Sequence, residues 1–176
     1  MEEYTIRNIL NSLKNRLDKN NEIGIQATQG YCYTGKCTFN KPATNDEIDK
    51  FILDTGWSIP DEYREFLLIH NGANFFSFEY GGASYLYGID EIISNASLSI
   101  SKNLYIIGFY SDLGDIVIDS KRVKEGRKDY MLLSSDEIID FKCDFKTWLD
   151  RMIITYGINY WEWRSKKVPL DDILNE

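Results

Sequence analysis

The chain has 176 residues, 43% hydrophobic and 14% aromatic, with a formal net charge of −8. This composition suits one globular domain with a substantial core and excludes an intrinsically disordered chain. No run approaches the roughly 20 apolar residues that span a bilayer, and the acidic start lacks the basic and apolar regions of a secretory signal, so a cytoplasmic, non-membrane protein is expected.

Residues 4–18 place Ile6, Ile9, Leu10, Leu13 and Leu17 at helical spacing. Residues 22–29 alternate loosely and predict a strand. Residues 31–39 then predict a hairpin turning at Thr34-Gly35, which would set Cys32 opposite Cys37. Thr44 and Glu47 form a capping box for a helix with Ile48, Phe51 and Ile52 inside and Gly56 at its end. A second helix follows at once. Ser58 is its predicted cap, Pro60 falls in its first turn, and Asp61 and Glu62 favour the positive end of its dipole. Tyr63, Phe66, Leu67 and His70 share one face, and Asn71-Gly72 ends it.

Residues 75–80 and 84–87 predict a hairpin around Gly81-Gly82, and residues 90–93 a single helical turn. A further strand pair, 104–109 and 116–118, flanks the turn Ser111-Asp112-Leu113-Gly114. Residues 121–128 read as a charged loop and 130–133 as a short strand. Asp144 caps a last helix with the stripe Phe145, Trp148, Leu149, Met152, Ile153 and Tyr156, ended by Gly157. The expected class is α+β: one domain over 1–176, its largely antiparallel sheet flanked by helices.

In order, Pro42, Glu47, Gly56, Ile59, Pro60, Tyr63, Phe66, Leu67, Asn71 and Gly72, followed by Gly114-Asp115 and by Phe145 and Trp148, resemble the signature of the SUKH superfamily of fungal cell-wall-assembly regulators and bacterial immunity proteins. The resemblance covers about residues 40–156. It leaves an N-terminal helix and hairpin, 1–39, and a tail, 157–176, outside. Most motif residues have architectural work: Pro60 sets a helix start, Tyr63 and Phe66 fill the core, and Asn71-Gly72 turns the chain.

Chemistry-bearing patterns are scarce. The one histidine, His70, has no recognisable nucleophile motif beside it. Cys32, Cys37 and Cys143 do not have the spacing of a zinc site, and their odd number argues against a disulfide scaffold. No glycine-rich phosphate loop opens a helix, and nothing selects a catalytic pair among the 28 Asp and Glu residues. No enzyme activity, cofactor, metal or small-molecule substrate is expected. The acidic balance argues against a nucleic-acid partner and suits a basic protein, although it also serves solubility.

The resemblance implies a non-enzymatic immunity protein that occludes the basic active-site surface of a cognate toxin, a nuclease being the expected target. The alternative is a cytoplasmic regulatory or scaffold module with an endogenous partner. Aromatic and acidic residues outside the motif are the expected contacts: Glu79, Tyr80, Tyr85, Tyr87, Asp90, Asp112, Asp115, Trp161 and Trp163.

Overall fold

The computed structural model describes residues 4–78, 84–98 and 101–162. Among them, helices α1 (Ile6–Lys14), α2 (Asn45–Thr55), α3 (Asp61–Ile69), α4 (Ile89–Ser94), α5 (Ser120–Lys124) and α6 (Phe145–Ile154) surround one sheet. Its strands are β1 (Glu22–Gln26), β2 (Cys32–Phe39), β3 (Ala73–Ser77), β4 (Ser84–Leu86), β5 (Leu104–Tyr110), β6 (Gly114–Asp119), β7 (Met131–Ser134) and β8 (Ile138–Asp140). All eight pair antiparallel in chain order. The α+β class with an antiparallel sheet is therefore the observed one. No helix among the described residues is long and apolar enough to cross a membrane.

The helix starts follow their capping chemistry. The Thr44 hydroxyl accepts the Glu47 N–H at 3.2 Å, and the Glu47 carboxylate accepts the Thr44 N–H at 2.7 Å. Gly56 ends α2 with φ 69°. Asp144 accepts the Thr147 N–H at 2.8 Å to open α6. At α3 the expected Ser58 cap is replaced by Pro60, whose carbonyl accepts from Tyr63 and Arg64 while its ring has no N–H to satisfy. Ser58 is used elsewhere: its N–H donates to the Ser120 hydroxyl at 2.8 Å.

The first helix ends at Lys14 with Asn15 as its C-cap, where the polar stretch begins. Two further expectations are corrected. The charged stretch after Asp119 begins as a helix, α5, because the Asp119 carboxylate accepts from the Lys121 and Arg122 N–H groups. The hairpin at Thr34-Gly35 does not exist, since β2 runs unbroken through both residues and pairs Gly35 with Ile23. Gly35 is there for lack of space: a Cβ would lie 2.5 Å from Ile25 Cδ1 and 3.1 Å from Phe76 Cα. The turn lies instead between β1 and β2, where Gln29 and Gly30 take φ 61° and 77°. Cys32 and Cys37 thus sit on one strand, five residues apart and on opposite faces. Both are free thiols, Cys32 exposed and Cys37 buried.

The helices' buried residues share one core with the inner face of the sheet. At its centre Tyr63 and Phe66 of α3 meet the Phe145 ring of α6 edge-on, with centroids 4.9 and 5.6 Å away. The opposite sheet face carries a separate, small apolar cluster, Ile106, Val117 and Leu132, with Tyr87 and Leu104 packed against it.

Candidate functional site: the outer face of the sheet

A bulge in β5 sets up this face. The pairing with β6 shifts between Ile106 and Gly108, so Ile107 turns inward and Phe109 points outward. Cross-strand register then lines up Asn74, Tyr85, Phe109, Asp115, Ser134 and Ile138 in one row. Phe109 is 37% exposed and Ile138 49% exposed, against 2% for the inward Tyr110. The Tyr85 and Tyr87 rings meet with centroids 5.7 Å apart.

The electrostatics are one-sided. Burial raises the Asp115 carboxyl above its ordinary value, and none of the ion pairs among the described residues involves it. Burial also raises the Tyr87 phenol, with further contributions from the nearby charges of Asp115 and Glu91. Arg122, in α5 beyond the far end of β6, is engaged by other acids, lying 3.3 Å from Asp119, 3.8 Å from Asp129 and 2.8 Å from Asp140.

Phe109 leads from this face into a groove of about 500 Å³ that also contains Asp112, Asp136, Trp161 and Glu162. Of the contacts expected from sequence, Tyr85, Tyr87 and Asp115 therefore come together, and Asp112 and Trp161 join them through Phe109. Trp161 is half-buried, its ring edge-on to Tyr110 at 5.2 Å and Phe141 at 5.0 Å, so it is more wall than protruding anchor. Asp90 is exposed in the first turn of α4. Glu79, Tyr80 and Trp163, together with the turn at Gly81-Gly82, lie outside the described residues. Sequence reasoning missed Phe109, Ile138, Glu91 and Asp136. Gly108 beside a run of apolar residues was the available sign of a bulge.

The motif residues support the site from beneath. Asn71 accepts the Ile89 N–H, Gly72 packs against the β4–α4 junction, and Gly114 opens β6 beside Asp115. His70 takes no part in it. Its Nδ1 lies 2.9 Å from the Asn40 carbonyl and its Nε2 lies 2.6 Å from Lys14 Nζ. No group of three or more metal-ligating side chains occurs among the described residues.

The helices and the eight-stranded antiparallel meander make this an α+β protein whose outer sheet face carries aromatic and acidic residues. The chain belongs to the SMI1/KNR4 family (SUKH-1), whose model matches residues 42–172. That match runs further into the tail than the motif residues alone. The chain is 27% identical over 170 residues to the uncharacterized protein YobM of Bacillus subtilis (strain 168), spanning 90% of this chain and 92% of that one. It is 31% identical over 129 residues to the uncharacterized protein YnaB of the same organism, spanning 70% of this chain and 85% of that one.

Proposed function

We propose that this protein is a non-enzymatic, cytoplasmic immunity protein that binds a cognate protein toxin through the outer face of its sheet and covers a basic active-site surface. A nuclease domain is the target such a face fits best, because a site that grips phosphates is cationic. The observation that carries the reading is Asp115. A half-buried carboxylate with no cationic partner among the described residues costs stability, and it lies directly across from exposed Phe109, which in turn stands opposite Tyr85. Aromatic anchors supply buried area at low entropy cost, and the acids Asp112, Asp115, Asp136 and Glu162 steer a cationic partner into register.

The test is co-expression with the toxin encoded beside this gene. Protection and a stable stoichiometric complex are expected. The absence of both protection and a complex would refute toxin binding and favour a regulatory module.

A further inference from the structure

The sheet ends at β1, and the outer edge of that strand carries backbone groups that bond to nothing among the described residues. The Ala27 N–H donates to the Tyr31 carbonyl at 2.7 Å, and the Cys37 N–H donates to the Asn21 carbonyl at 2.9 Å. With the unbroken register between β1 and β2, this alternation turns the backbone groups of Ile23 and Ile25 toward β2 and those of Glu22, Gly24 and Gln26 away from it. Glu22 is closed off by Asp18, whose N–H donates to the Glu22 carbonyl at 2.9 Å and whose carboxylate accepts the Glu22 N–H at 2.9 Å. Gly24 and Gln26 are left open. Both are exposed, and a Cβ at Gly24 would meet nothing within 4 Å.

An open edge is a template for another strand, and proteins blunt it with Lys, Pro, a bulge or extreme shortness. β8, at the other end of the sheet, is three residues long and has Asp136, Glu137 and Asp140 in or beside it. β1 has five residues and none of those devices. Its surroundings also lack excess charge. Between residues 18 and 36 the charged residues are Asp18, Lys19, Glu22 and Lys36, which balance in a chain of net charge −8, and Lys36 lies 3.9 Å from Glu22. A neutral edge gives a cationic partner no steering, whereas a like-charged copy meets least repulsion there. A copy also fits in register. Set antiparallel about Ile25, Gly24 lies opposite Gln26 of the second copy and Gln26 opposite its Gly24, so each open N–H and C=O gains a partner. Ile25 then faces Ile25, and Ile23 faces Ala27. The ring of Tyr31, 68% exposed, stands across from the small Ala27 and extends this apolar row.

We propose that β1 is a self-association edge: two copies of this chain pair antiparallel through residues 24–26 about a two-fold axis at Ile25, joining their sheets into one. Opposed residues share a face, so the two outer faces lie on the same side of the joined sheet. The edge precedes residue 42, outside the family match, and the pairing does not depend on a toxin partner.

The test is sedimentation of the full chain across a range of concentrations. So short a ladder makes a weak interface, and a reversible dimer with a dissociation constant on the order of 100 µM is expected. Gly24→Pro removes an open N–H and no bond to β2, at a position where an edge strand tolerates proline. It should weaken the dimer at least about tenfold, since the two-fold axis doubles each loss. The register has its own check. In a Cys32→Ser background, oxidation of a mixture of Gly24→Cys and Gln26→Cys chains should link unlike chains in preference to like ones. Opposed Cα atoms are about 5.5 Å apart and diagonal ones about 7–8 Å, and only the former lie within disulfide reach. A wild-type chain that stays monomeric to about 1 mM would overturn the proposal. So would an undiminished dimer in folded Gly24→Pro, or equal linking of like and unlike chains.

Discussion

The Asn71 side-chain oxygen accepts the backbone N–H of Ile89 at 2.9 Å. This bond joins the end of α3 to the start of α4, two residues beyond Tyr87. Asn71 also receives the Asn40 amide on its own carbonyl at 2.8 Å, so the residue ties three segments behind the outer face. Asn71→Ala is expected to lower stability by about 1–3 kcal/mol and to broaden the amide resonances of Tyr87 and Glu91. Asn71→Asp, which retains the acceptor, should restore most of the loss. Equal losses in the two variants would contradict this role.

The Lys14–His70 contact makes stability depend on pH. The Asn40 carbonyl and the Lys14 ammonium fix the tautomer, with the proton on Nδ1 and the lone pair on Nε2. Burial lowers the His70 pKa below 6.5, the Asn40 bond opposes that shift, and the Lys14 charge adds to it. Below about pH 6.5 the unfolded chain therefore takes up this proton before the folded one, and stability falls with acidification until His70 itself titrates. An NMR titration of the imidazole should give a midpoint below 6.5. The midpoint should rise partway in Lys14→Met, since burial remains. A midpoint that does not move in that variant would contradict the coupling.

Two left-handed glycines separate strain from crowding. At Gly126, φ 73°, an added Cβ would meet nothing within 4 Å, whereas at Gly72, φ 96°, it would lie 2.8 Å from the Gly88 nitrogen and 2.9 Å from the Leu86 oxygen. Gly126→Ala should cost about 1 kcal/mol, and Gly72→Ala at least about 3 kcal/mol because backbone must also move. Urea midpoints compare the two. Similar losses would show that crowding at Gly72 is not decisive.

Where structure depends on neighbours in sequence, it was legible. The Thr44–Glu47 box, the Gly56 stop, the Asp144 cap and the stripe from Phe145 to Ile153 all follow from short-range chemistry. Tyr63 and Phe66 were placed in the core for the same reason. Long-range crowding was not legible. Gly35 looks like a turn glycine, and only Ile25 and Phe76 packed against it reveal a strand. The outer face was half legible: Tyr85, Tyr87 and Asp115 were selected by residue type, but Phe109 joins them only because the β5 bulge shifts the alternation.

The acids of the outer face should govern encounter more than residence. Asp115→Asn and Asp112→Asn are expected to slow toxin association and flatten its salt dependence while changing dissociation little. Asp115→Asn should not lower thermal stability, because it relieves a carboxylate whose charge burial disfavours. A marked loss of stability in Asp115→Asn would assign that carboxylate a structural role.

The central claim is that the outer face binds the toxin, and the most direct measurement is the affinity of the neighbouring-gene toxin domain for three forms of this protein. The double variant Tyr85→Ala with Phe109→Ser should lose at least roughly tenfold in affinity, while Leu53→Ser, which alters a side chain 83% exposed on α2, should bind like the wild type. Undiminished binding by the folded double variant would contradict the account.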